Sequence, residues 1–242
     1  SNRNLSVGAY GNPTAEIIIA IFALLFSLNF GLYFLLLQRR FKEALKSDEA
    51  RFFLLLVAGS TALITINIMP IYENVRDSLR YAFFQVASII STTGFATADF
   101  VLWPHFSQMI LVILMFCGAC AGSTGGGIKC SRVVMLLRSI RRELHRIAHP
   151  RSVEVVRLDG KPVDESTLHS VLVFIGFYIL IILTAALVVS LDNVPFDVSF
   201  SAALTCVSNV GPGLATIGPS GNFAAFSPLS KVVLSLCMII GR

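Results

Sequence analysis

Three uncharged stretches dominate the chain: Ile17 to Leu37, Phe52 to Tyr72 and Val171 to Leu191. Each is close to the ~20 residues a helix needs to cross a hydrocarbon layer of roughly 30 Å. Between them lie shorter helix-compatible runs. Asp77 to Ser91, with Asp77 or Ser78 as predicted N-cap, would make a helix of about 22 Å, too short to cross and return. Asp197 to Ser208 reads the same way. The run from Phe106 to Cys117 would extend only about 18 Å before Gly118 to Gly127, which holds five glycines plus Ser123 and Thr124. At roughly 1 kcal/mol per helical glycine, that helix should break there. A basic amphipathic helix resumes from Ile128 through Arg146. Alternation from Val153 to Leu158 followed by Asp159-Gly160 predicts a type I′ hairpin. A last apolar run starts near Ser227 and carries Arg242 at its end.

The order repeats. Shifting the sequence by 117 residues puts Gly94 on Gly211, Ser91 on Ser208, Ser88 on Thr205 and Phe83 on Phe200. Few identities survive, yet long span, short helix, glycine loop and returning span recur, as in transport proteins built from internal repeats.

Composition agrees with a membrane chain: 55% hydrophobic and 14% charged residues, against ~25% charged in soluble domains. Mean hydropathy is +0.77. Of the 19 Lys and Arg residues, 14 fall in two segments. One holds Arg39, Arg40, Lys42, Lys46 and Arg51. The other holds Lys129, Arg132, Arg138, Arg141, Arg142, Arg146, Arg151, Arg157 and Lys161. Elsewhere come Arg3, Arg76, Arg80, Lys231 and Arg242. The positive-inside rule places the two rich segments in the cytoplasm. Because both flank spans, they argue against nucleic-acid binding. The chain starts without Met and stops inside an apolar run, so it reads as a piece of a longer one. Cys117, Cys120, Cys130, Cys206 and Cys237 lie in or beside apolar segments and imply no disulfide framework. His145 and His149 are a weak metal pair at best. No nucleophile–base pair points to covalent catalysis, so no catalytic residue is assigned.

The chemistry lies in the two glycine loops. Each short helix should dip into the membrane and return outside, presenting its partly negative C-terminus and then successive carbonyls to a cation. Irregular backbone at that depth needs protein or water beside it. Two ordinary turns on the outer surface are the plainer alternative. Asp99 attracts cations at the outer mouth or caps a loop. The Gly118–Lys129 break is a gate or a simple kink. It is no phosphate loop, because Ile128 stands where Lys is required. An intramembrane Arg242 is costly and by default functional.

Thr92-Thr93-Gly94-Phe95-Ala96-Thr97-Ala98-Asp99 resembles the third filter of the Trk/Ktr/HKT potassium transporter superfamily, closest to its bacterial Trk-type members. Asn209-Val210-Gly211-Pro212-Gly213, with Gly218-Pro219 and Asn222-Phe223, resembles the fourth. Ala121 to Lys129 resembles the gate loop of the third repeat. The resemblance implies an all-α integral membrane fold of span–pore helix–span repeats around a pseudo-fourfold pore. Residues 1–51 would close repeat two, with its span at 14–37. Residues 52–149 would be repeat three: span 52–72, pore helix 77–91, filter 92–95 and a broken span 106–146 with gate loop 118–129. Residues 150–168 would be a cytoplasmic hairpin linker. Residues 169–242 would be a truncated repeat four: span 169–191, pore helix 197–208, filter 209–212 and a closing span from 227.

The resemblance further implies potassium, the transported ion, at the carbonyls of Thr92, Thr93, Asn209 and Val210. Phe95, Gly94, Gly211 and Pro212 complete the filter strands. The implied gate set is Gly118, Gly122, Ser123, Thr124, Gly125, Gly126, Gly127, Lys129 and Arg242, with Arg242 bonding near Ser123 and Thr124. No organic cofactor is implied. The implied partners are membrane lipid, a second copy in a homodimer, and a cytosolic nucleotide-binding regulatory subunit docking on the basic faces 138–151 and 39–46. The setting is the bacterial inner membrane. The competing class is a membrane-embedded enzyme binding an anionic substrate at the glycine-rich loop.

Overall fold

A computed structural model describes residues 6–72, 74–149 and 154–242. Arg3, Arg151 and Val153, used in the charge and hairpin readings, lie outside the described residues. Ten α-helices are described. They are α1 (Pro13–Ser27), α2 (Phe30–Leu37), α3 (Phe41–Ala44), α4 (Asp48–Tyr72), α5 (Val75–Ile90), α6 (His105–Cys117), α7 (Cys130–Ala148), α8 (Glu165–Val189), α9 (Phe196–Ser208) and α10 (Pro228–Gly241). Strands β1 (Arg157–Leu158) and β2 (Lys161–Pro162) pair antiparallel between α7 and α8. Asp159 and Gly160 both have positive φ, 51° and 77°, as the expected type I′ turn requires.

Helices α4 and α8 are each 25 residues long, and Asp48 and Glu165 stand 117 residues apart. Both are long and apolar enough to cross a membrane. Their outward faces remain apolar and exposed, with Leu55 at 73% and Leu187 at 70%. In water such patches would be a liability, whereas lipid solvates them. The short helices are the buried ones. In α5, Phe84 to Ile90 is buried throughout, and in α9 all of Ser201 to Ser208 is. α4 and α6 pack on α5, while α8 and α10 pack on α9. Contacts of α6 with α9 and of α7 with α8 join the two groups. The core runs through Phe53, Ile64, Ile68, Ile89, Ile90, Leu111, Met115 and Leu204.

Some boundaries differ from the sequence reading. The cap of α5 is Asn74, whose side chain accepts from Arg76 N, so this helix starts before Asp77 and Ser78. The basic helix begins at Cys130, two residues after Ile128. The larger difference is at 14–37, expected as one continuous helix. It is two helices meeting at 89°. Leu28 turns extended while its N–H bonds to Leu25 O, Asn29 Oδ1 accepts from Gly31 N to start α2, and the Tyr33 hydroxyl also donates to Leu25 O at 2.6 Å.

Candidate functional site

Each short helix ends in a hook of the same shape. After α5, Thr92 and Gly94 have positive φ of 57° and 70°; after α9, Asn209 and Gly211 have 57° and 114°. The residues between and after them, Thr93, Phe95, Val210 and Pro212, do not. The hooks are braced alike from behind. Ser88 Oγ donates to Phe95 O at 2.5 Å, and Thr205 Oγ1 donates to Pro212 O at 3.1 Å. Thr93 N and Val210 N bond back to Ser88 O and Thr205 O. The shift of 117 residues therefore relates backbone conformation and hydrogen bonds, where side-chain identity had largely faded.

The two hooks lie against each other. A Cβ on Gly94 would stand 2.0 Å from Val210 O, so no other residue fits there without displacing the second hook. A cavity of about 460 Å³ opens on one side of them, lined by Thr93, Gly94, Val210, Gly211 and the 217–223 loop. Asp99 stands beside this region. One carboxylate oxygen accepts from Val101 N and the other from Ser220 Oγ at 2.7 Å, so both are engaged in holding loops.

On the other side lies the glycine loop. Gly118 ends α6 with φ 65°. The unpaired carbonyls of that helix end are taken up locally: Ile128 N bonds to Phe116 O, and Lys129 N to Cys117 O. The rest of the loop is held from outside. Cys120 N donates to Ser27 O and Thr124 N to Phe26 O, while Phe30 N donates to Gly122 O. The break between α1 and α2 and the break between α6 and α7 thus satisfy one another, which is how irregular backbone persists in an apolar setting. Sequence reading missed this partner; the signal was Ser27, Asn29 and Gly31 interrupting an apolar run.

The loop touches both short helices. Gly126 N donates to Thr92 Oγ1 at 2.8 Å. A Cβ on Gly126 would stand 2.3 Å from Ser208 O. A second cavity, of about 940 Å³, is lined by Gly122 to Gly127, Lys129, Arg132 and Arg242. Arg242 is exposed there. Ser123 Oγ donates to Cys120 O and Thr124 Oγ1 to Phe26 O. The described side-chain bonds from cations to loop carbonyls come from Lys129, to Gly125 O, and from Arg132, to Ile128 O, and not from Arg242. Glu49, which the sequence reading passed over, also reaches this loop, accepting from Ala121 N and Ser131 N.

Of the expected docking faces, α7 carries much of its charge in pairs. Arg138 bonds to Asp48 and to Arg157 O, and Arg142 to Glu165. The His145 and His149 rings stack at 4.7 Å, and His145 meets Glu154. Among the described residues, no group of three or more His, Cys, Asp or Glu is placed to hold a metal ion. The five cysteines are free and buried.

Comparison with known proteins agrees with this geometry. Residues 3–242 match the family described as TrkH, cation transport protein. The chain is 36% identical over 247 residues to a Trk system potassium uptake protein TrkH of Salmonella typhimurium, and 33% identical over 245 residues to that of Escherichia coli K12. Both alignments cover all of this chain and 50% of the relative, so the chain spans about half their length. The crystal structure of the potassium transporter TrkH from Vibrio parahaemolyticus superposes with a TM-score of 0.89 at 29% identity, covering 100% of this chain and 52% of that one. With a family match over nearly its whole length and a fold shared with a solved member, the chain belongs to the TrkH family of cation transport proteins.

Proposed function

We propose that this chain forms half of a potassium pathway, with Thr92–Phe95 and Asn209–Pro212 as two of four filter strands. The observation that carries this is the pair of hooks, alike in φ and in bracing hydrogen bonds and packed directly against each other. Positive-φ residues at every second position turn successive carbonyls to one side, where a ring of them replaces the hydration shell of potassium. The C-termini of α5 and α9 add partial negative charge at the same place. Glycine at both 94 and 211 favours potassium over sodium. In this reading residues 1–51 close repeat two, 52–149 form repeat three, 150–168 the linker and 169–242 the start of repeat four. The pore is pseudo-fourfold.

The loop Gly118–Lys129 is the gate. Its contact with Thr92 and Ser208 puts it across the inner end of both strands, and Lys129, Arg132 and Arg242 place positive charge in the cavity below. Anion binding at this loop is the weaker reading, because the N–H groups of residues 120, 121, 124, 126 and 128–130 already have protein acceptors. By the positive-inside rule this reading puts the basic segments in the cytoplasm and the 460 Å³ cavity on the outer side. Uptake of potassium follows the names of the relatives; a homodimer with a cytosolic nucleotide-binding subunit in the bacterial inner membrane is what the family resemblance implies. Asp99 shapes the outer mouth through its loop bonds.

Rescue of potassium-limited growth by the full-length gene tests the reading. Growth is expected with the native gene and should fail, or lose its preference for potassium, with Gly94→Ser. Rescue indifferent to Gly94 would remove the filter assignment.

A further inference from the structure

Glu49 stands in the first turn of α4 and is 6% exposed. An acidic residue at a helix start ordinarily serves the dipole of its own helix from the surface. Glu49 does something else. Its Oε1 accepts two backbone bonds, from Ala121 N at 2.6 Å and Ser131 N at 2.9 Å, donors 72 and 82 residues along the chain. Ala121 lies in the glycine loop. Ser131 is in the first turn of α7, a helix whose own N-cap position, Lys129, provides no side-chain cap. Glu49 therefore supplies from α4 the cap that α7 lacks, and with the same oxygen fixes the loop.

The other half of the chain makes the point by contrast. The position 117 residues on is Ser166, which is exposed, and the closing helix there, α10, is unbroken to Gly241. The buried carboxylate occurs in the unit whose closing helix is broken. Its neighbour Asp48 faces the opposite way, accepting from Arg138 and from Asp159 N in the hairpin turn. Two adjacent acids thus tie the glycine loop, the start of α7 and the basic hairpin to one helix end.

We infer that Glu49 is the positioning residue of the gate: a latch that holds the glycine loop and the start of α7 as one unit beneath the filter. The inference rests on the loop being the gate. Its acceptor oxygen, and not its negative charge, is what the two N–H groups need.

The test is rubidium flux into proteoliposomes holding the full-length protein. Glu49→Leu keeps bulk and removes the acceptor. It should raise flux about fivefold or more, the scale expected when two buried N–H groups lose their partner, with potassium-over-sodium selectivity unchanged. Glu49→Gln keeps an acceptor oxygen and should return flux to within about twofold of wild type. A general packing defect would instead lower flux and blur selectivity. If Glu49→Leu is not recovered folded, Ser131→Pro carries the test. It removes one of the two donors at a helix start, where proline is accommodated, and should also raise flux. Gly126→Ala, which drives the loop away from Ser208, separates the two readings. If it leaves flux unchanged, the gate reading itself fails. If it changes flux while Glu49→Leu or Ser131→Pro does not raise it, only the latch fails. Glu49→Gln behaving like Glu49→Leu would overturn the hydrogen-bond basis.

Discussion

The base of each hook is tied to the closing segment of its own half, by opposite chemistry. Thr92 accepts from a loop N–H, that of Gly126, whereas Asn209 donates through Nδ2 to the Met238 carbonyl at 3.1 Å. The reason lies in the helices. Met238 lies in the last turn of α10, where carbonyls lack an intrahelical donor, so its partner must donate. A broken helix has free N–H groups, so its partner must accept. Both residues occupy the left-handed region, which asparagine visits readily and a β-branched threonine does not. The loop contact therefore stabilises a strained Thr92, and the glycine loop and the hook of this half are mechanically joined.

The comparison can be broken first at the glycines. Gly94→Ser must displace Val210 O, while a Cβ at Gly211 meets nothing within 4 Å and suffers only from φ 114°. Gly94→Ser should lower potassium-over-sodium selectivity by tenfold or more, equivalent to ~1.4 kcal/mol, and Gly211→Ser by less. Equal effects in competitive uptake assays would mean that the close packing of the two hooks does not govern the filter.

Next come the braces. Thr205 Oγ1 both donates to Pro212 O and accepts from Gly211 N at 2.9 Å, whereas Ser88 Oγ makes the first bond alone. Thr205→Val should cost about 1–3 kcal/mol of stability for each buried group left unpaired, and more than Ser88→Ala. Thermal unfolding in detergent would read the order, and a reversal would show that the second Thr205 bond adds no stability to its hook.

The third contrast is Thr92 with Asn209. Asn209→Ala loses its bond to α10 and should shift stability by ~1 kcal/mol with flux retained. Thr92→Val frees the loop N–H and should change flux more than stability. If both act on stability alone, the coupling of gate to filter is wrong. The smallest effect is expected at Arg142→Ala: its partner Glu165 is exposed, and such pairs contribute ~0–1 kcal/mol, so a change beyond that would mark α7 as more than a surface helix.

Much of this was legible in the sequence because it follows from local patterns. Uncharged runs of fixed length gave α4 and α8. Asp159-Gly160 gave the hairpin. Glycine spacing placed both hooks and the break after Cys117. The break at Leu28 was not legible, since Ile17 to Leu37 is uncharged throughout and an isolated Ser, Asn and Gly do not outweigh that pattern. Glu49 was hidden for a related reason: an acid at the start of a span looks like an ordinary helix-end residue until its partners are known.

The sequence by itself determined which segments are apolar, where clustered glycines interrupt the helices, and that the two halves share one plan. The tertiary structure decided which broken backbone satisfies which. Hydrogen bonds between Phe26, Ser27 and Phe30 on one side and the 120–124 loop on the other join residues nearly a hundred positions apart. No local propensity encodes such a pairing. It arises because neither break can leave its N–H and C=O groups bare in an apolar interior, and each is the partner within reach of the other.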